Sequence, residues 1–251
     1  MELVDHVFST FCLQGMVRED ILSLMEQFGL IAKFASSPDD VKYFVPAQLN
    51  SPPGRLCEVE PSLSDPCPLY LQFPAGFVPH GLFYQLISRC TRWCSEIEFK
   101  QPPNFFEGTA RFRLLSNKLT HQLIIVLKKR FIKFVFLTSK RSEGREAPLA
   151  EIEEMAGHVW RFLNETMVKL VEDLPYMSSL KYQWCVACTD CSREEDTCDH
   201  HGQVSCTHDD CLCLRKILPE GQLDDCPKSV SDEASNVPGL KKWFPIKGEE
   251  N

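Results

Sequence analysis

The chain has 251 residues, 43% of them hydrophobic and 25% charged, with a formal net charge of −8. That balance is globular and supplies enough apolar material for a sizeable core, which excludes a disordered or fibrous chain. The excess acid works against the phosphate electrostatics of nucleic-acid binding, and it is concentrated late: residues 181–251 hold 14 acidic and 8 basic side chains.

The start of the chain carries Asp5 and His6 where a signal peptide needs an unbroken apolar run. The most apolar stretch, Leu123–Leu127, is too short to span a bilayer. The expectation is a cytoplasmic protein with no transmembrane segment and no nucleic-acid partner. Its nearest approach to a basic patch, Lys128, Lys129, Arg130 and Lys133, reads as a solvated hairpin.

In chain order, Val17, Ile21, Leu24, Met25 and Phe28 share one helical face, and Gly29 can supply the left-handed stop. Leu30–Phe34 and Val41–Val45 read as strands on either side of the turn-forming run Ser36, Ser37, Pro38, Asp39 and Asp40. A helix followed by a hairpin over residues 1–50 is the shape of a partial winged helix, whose other helices would lie upstream of Met1. Residues 51–68 hold Pro52, Pro53, Gly54, Pro61, Pro66 and Pro68, the composition of a linker.

A second unit is expected over residues 69–187. Leu69–Phe73 reads as a strand. Pro79 opens a helix with Leu82, Phe83, Leu86, Ile87, Cys90 and Trp93 as its buried stripe. Phe106, Gly108, Ala110, Phe112 and Leu114 alternate with Glu107, Thr109, Arg111 and Arg113, which predicts one strand with a wet face. His121–Leu127 and Phe131–Thr138 follow as further strands. Ile152, Met155, Ala156, Val159, Leu163, Met167, Leu170 and Leu174 keep helical spacing from Pro148 until Pro175 stops them. Leu180–Ala187 reads as one more strand. The fold class is therefore α+β, an antiparallel-rich sheet covered by two helices. The tail, residues 227–251, is polar, but Val237–Phe244 is expected to fold back as an anchor, because Leu240, Trp243 and Phe244 are costly to leave exposed.

The phosphate-binding G-x-x-x-x-G-K-[ST] loop does not occur in the sequence, nor do the H-E-x-x-H, G-x-S-x-G and kinase signatures. No catalytic residue and no GTP site of its own is expected. His6, His80, His121 and His158 are scattered; His80 reads as a helix cap or surface residue and His158 as a hydrogen-bonded structural histidine.

The sharp chemical feature is thiol clustering. Eight of 13 cysteines fall between Cys185 and Cys226, together with His200, His201 and His208. In a reducing compartment such a cluster points to metal before disulfides. Two residues between thiolates let both sulfurs face one tetrahedral ion, so Cys185 and Cys188, or Cys188 and Cys191, make a first pair. Cys206, His208, Cys211, Cys213 and Cys226 compete for the second. Residues 188–226 are thus expected to bind a structural zinc, since each such set closes to four protein ligands. Cys188, Cys191, Cys198 and His200 faintly resemble a RING, which makes a zinc-dependent ubiquitin ligase or a zinc-stabilised adaptor the alternative, but no closing C-x-x-C follows Cys213.

Three blocks resemble the Roco family in its own order. Asp20-Ile21-Leu22-Ser23-Leu24-Met25-Glu26-Gln27-Phe28-Gly29-Leu30-Ile31 is similar to the leucine-rich helix and F-G-L element of the COR (C-terminal of Roc) domain. Lys42-Tyr43-Phe44-Val45-Pro46-Ala47-Gln48-Leu49 is similar to its Y-hydrophobic-V-P-x-x-L strand. Phe77-Val78-Pro79-His80-Gly81-Leu82-Phe83-Tyr84-Gln85-Leu86-Ile87-Ser88-Arg89 resembles the helix that opens the second COR half. The resemblance spans roughly residues 15–190 and implies a chain starting inside the first half. It further implies a non-catalytic module that forms a homodimer and contacts a Roc GTPase domain, in cis or in trans, coupling nucleotide state to the rest of a signalling protein.

Overall fold

A computed structural model describes residues 18–28, 30–37, 40–45, 48–79, 81–96, 103–116, 119–139, 148–173, 179–188, 212–225 and 237–244. Its first elements are α1 (Arg18–Gln27) and the antiparallel hairpin β1 (Ala32–Ser37) and β2 (Asp40–Phe44). The expected helix and hairpin are therefore present; Gly29 lies outside the described residues.

The second unit runs β3 (Leu69–Gln72), α2 (Leu82–Glu96), β4 (Asn104–Phe106), β5 (Thr109–Ser116), β6 (Leu119–Leu127), β7 (Phe131–Thr138), α3 (Leu149–Asp173), β8 (Gln183–Ala187) and β9 (Leu214–Lys216). Seven strands form one sheet in the order β4-β5-β6-β7-β3-β8-β9, every pair antiparallel. β3 is thus a central strand between β7 and β8, reached by bringing the end of the unit back beside its beginning.

One expectation fails locally. The predicted strand through Phe106 and Gly108 is two strands, because Gly108 takes φ +60° and turns the chain at Glu107–Gly108. Alternation of apolar and polar residues continues across the hairpin, so the period alone hides the break. Arg111 on β5 holds the side chain of Asn104 on β4, with Nη2 donating to Oδ1 at 2.8 Å.

Helices α2 and α3 cover one face of the sheet. From α3, Ile152, Met155, Ala156, Val159, Leu163, Met167 and Leu170 are buried against Leu71, Phe112, Leu123, Ile125, Phe134 and Val186. Each fully buried large side chain contributes about 1.5–3 kcal/mol relative to exposure. β1 lies against α2, and Arg92 on α2 pairs with Glu26 on α1.

The opposite face is covered as well, by the Pro-rich stretch that composition suggested as a linker. A 3₁₀ turn at Gly54–Glu58 sets Leu56, Cys57 and Val59 on Ile124, Val126 and Val135. Asp65 fastens the end of this strap: Oδ1 accepts the Thr138 N–H at 2.9 Å, and Oδ2 accepts the Ser62 N–H at 3.1 Å and its hydroxyl at 2.7 Å. Proline stiffness here holds a covering segment rather than spacing two bodies apart.

The strap also explains a correction to the basic patch. Lys129 is exposed, but Lys133 is 1% exposed, and its ammonium donates to the Glu60 carboxylate on the strap. Removing one partner of such a pair leaves an uncompensated buried charge, whereas an apolar isostere removes the desolvation cost altogether. Glu60→Gln is expected to destabilise the fold by about 1–3 kcal/mol, the larger figure for a fully buried pair being reduced because Glu60 is exposed. Lys133→Met should be within about 1 kcal/mol of neutral. Urea unfolding of the two variants checks the asymmetry; equal losses would contradict it.

The C-terminal segment folds back as expected. Val237, Leu240 and Trp243 are buried in the main core, and Phe244 packs edge-on against Trp160 at 4.9 Å. The far end of the sheet is closed by the turn after β9. Arg215 donates through Nε and Nη2 to the Asp224 carbonyl at 2.9 and 2.6 Å, and Asp224 Oδ1 accepts the Lys216 N–H at 2.8 Å. These bonds occupy polar groups that an edge strand would otherwise offer to another chain.

Candidate functional site

The site expected from the sequence is the cysteine cluster. Cys185 and Cys188 are described and both are buried. Cys191, Cys206, His208, Cys211 and Cys226 lie outside the described residues, as do Cys198 and His200. Among the described residues, no group of three His, Cys, Asp or Glu side chains is placed to hold a metal ion.

Strand register decides where the described thiols point. β8 and β9 pair Cys185 with Lys216, Val186 with Arg215 and Ala187 with Leu214. The ladder runs one step beyond the strands: the Cys188 N–H donates to the Cys213 carbonyl at 2.8 Å. Cys188 and Cys213 are therefore opposite one another, and they pack together as a small buried cluster. Because side chains alternate across a sheet, Cys185 projects to the other face. There it is buried with Tyr70 and Phe131, beside Leu212 and Leu214. Its Sγ lies 3.6 Å from Gln72 Oε1. Burial, helped by the Asp224 charge and opposed by Lys216, pushes the Cys185 thiol up to about 12.

Cys67, Cys90 and Cys94 are also held protonated by burial; the Cys67 and Cys94 thiols are pushed up to about 12. These are packing residues by physical character, inert as nucleophiles.

A second surface feature was not foreseen. Between α2 and α3 lies an open groove of about 510 Å³, lined by Arg89, Arg92, His158, Arg161 and Lys169 over a stacked Trp93–Phe162 pair with ring centroids 4.2 Å apart. His158 is exposed here, which corrects its reading as a hydrogen-bonded structural histidine. Arg89 and Asp173 form an ion pair at 2.7 Å, and Glu165 also lines the groove, so its charge is partly balanced. The available signal was spacing: Arg161, Glu165 and Lys169 recur every four residues on α3, and Arg89 and Arg92 are one turn apart on α2.

Of the two described histidines, His121 is the buried one. It stacks on Phe136 with ring centroids 5.2 Å apart, Nδ1 lies 3.1 Å from Thr138 Oγ1, and Nε2 has no hydrogen-bond partner among the described residues. Burial lowers its pKa to about 4, with nearby Asp65 pulling the other way. The unfolded chain therefore binds a proton more tightly than the folded one, and stability should be complete above about pH 6.5 and decline as pH falls toward 4. The expected loss is on the order of 2 kcal/mol after allowing for solvent screening. His121→Gln should flatten that slope in urea titrations run between those pH values; an unchanged slope would contradict the assignment.

Among the described residues, no helix is long and apolar enough to cross a membrane. The described elements define an α+β protein with an all-antiparallel seven-stranded sheet covered on both faces. No family model matches the chain, and neither the curated proteins nor the solved structures give a match.

Proposed function

We propose that this chain is a non-catalytic regulatory and dimerisation module of the COR type, which couples a Roc GTPase domain to the rest of a Roco signalling protein in the cytoplasm. The observation that carries the reading is the agreement between motif order and element order. Phe28 of the F-G-L block directly follows α1, Tyr43 and Phe44 of the Y-F-V-P block end β2, and Leu82 to Arg89 of the third block open α2. A helix with a hairpin precedes, and an antiparallel sheet under two helices follows, in the sequence expected of the two COR halves. The module has two modes of contact, with a second copy and with a Roc domain in cis or in trans.

A structural zinc in the cysteine segment belongs to the same reading. β8 carries Cys188 out of a packed sheet, so one ligand is fixed before metal arrives, and metal binding would contribute folding free energy to the residues that follow. Cys185, Cys191, Cys206, His208, Cys211, Cys213 and Cys226 are the sequence's other candidates.

The test is titration of the full chain into a purified Roc domain held in its GDP and GTP-analogue states, followed by calorimetry. Saturable binding whose affinity differs between the two states is the expected result. Absence of binding in both states, by a chain that is also monomeric, overturns the proposal.

A further inference from the structure

We infer that Cys188 and Cys213 are two ligands of one zinc ion and that Cys185 is not a ligand. The assignment rests on the zinc reading above and goes beyond it by choosing among thiols that spacing alone leaves equivalent. Cys185-x-x-Cys188 and Cys188-x-x-Cys191 are equally good knuckles on paper, and Cys213 is one of five competitors for the second pair.

The sheet removes the degeneracy. Successive β8–β9 pairs fix a register in which residue 188 faces residue 213, and the bond from the Cys188 N–H to the Cys213 carbonyl shows that this pair obeys it. A directly opposed, hydrogen-bonded antiparallel pair has Cα atoms about 5.5 Å apart with both side chains on one face. Two thiolates bound to zinc at about 2.3 Å each stand about 3.8 Å apart in a tetrahedral shell. Cross-strand cysteines meet that spacing by small side-chain rotations, with no backbone movement. Cys185 is three residues from Cys188, hence on the reverse side of the sheet, where Tyr70, Phe131 and Leu214 enclose it. To reach the same ion it would have to cross the plane of the ladder.

Position within the fold supports a structural ion. Cys188 is 0% exposed and clusters with half-buried Cys213 one step beyond the Ala187–Leu214 pair of β8 and β9. A cation there ties the two segments together beyond Ala187 and Leu214, while the turn around Asp224 ties them beside Lys216. Binding displaces one proton from each thiol and changes no oxidation state.

The experiment uses the full chain, purified without chelator, and three variants, Cys185→Ser, Cys188→Ser and Cys213→Ser. Zinc is counted by elemental analysis, and cobalt(II) is the optical probe, its thiolate charge-transfer band scaling with the number of sulfur ligands. The parent chain should hold about one zinc. Cys188→Ser and Cys213→Ser should each weaken metal binding at least about tenfold and diminish the cobalt band, while Cys185→Ser leaves both unchanged. Because a serine variant can misfold, a second measurement uses the parent alone. Maleimide labelling with peptide mapping should find Cys188 and Cys213 protected together and exposed together when chelator is added. Full zinc affinity in Cys213→Ser, or lost affinity in Cys185→Ser, overturns the assignment and leaves the zinc reading standing. A parent chain with no zinc and no cobalt–thiolate band overturns both.

Discussion

Trp243→Ala should lower the unfolding free energy by about 3–5 kcal/mol, the range for truncating a fully buried large aromatic. Trp243 is 0% exposed, its ring meets Phe136 edge-on at 5.8 Å, and its indole Nε1 donates to the Cys67 carbonyl at 2.7 Å. Truncation therefore opens a cavity beneath the sheet's helical face and leaves a strap carbonyl without its donor. Lys242 beside it donates to the carbonyls of Leu63, Ser64 and Asp65 at 3.1, 2.8 and 3.3 Å, so the tail and the strap are one polar-and-apolar clasp. Urea unfolding followed by far-UV circular dichroism should show a lower midpoint at unchanged slope. A loss under about 1 kcal/mol would mean that the tail is not part of the folding unit.

Gly239→Ala should destabilise by roughly 2–4 kcal/mol, combining left-handed strain with overpacking. Gly239 has φ +82°, and a Cβ there would stand 2.8 Å from the Cys67 nitrogen and 2.9 Å from the Asp65 carbonyl oxygen. Both neighbours are backbone, so neither can swing aside. Gly76→Ala separates the two causes: its φ is +78° and nothing lies within 4 Å of the added methyl. It should cost only about 1–2 kcal/mol, the strain alone. Equal losses at the two glycines, measured by the same unfolding curves, would show that the close approach of tail to strap does not matter.

Which parts of this fold were readable depends on how local the signal is. The stripe from Ile152 to Leu170 and the run Phe131–Thr138 announce themselves because one element's own period exposes its buried face. Trp243 was legible for a different reason, the cost of leaving a large ring in water. The strap was read as a linker because proline content reports local stiffness and is silent about what a segment covers; Lys133 and Asp65 were misread or missed with it, since their partners are 73 positions away in sequence. β9 has only three residues, too few to show any period, and without it the facing of Cys188 and Cys213 has no trace in the spacing. The groove between α2 and α3 likewise needs two elements in register before its arginines and lysine converge.

The proposed self-association and Roc binding are tested most directly by the solution mass of the full chain. Light scattering across a concentration series should show the mass rising toward twice that of one chain, with Roc domain added at fixed stoichiometry giving a further complex. A single-chain mass at the highest concentration, unchanged when Roc domain is added, would contradict the account.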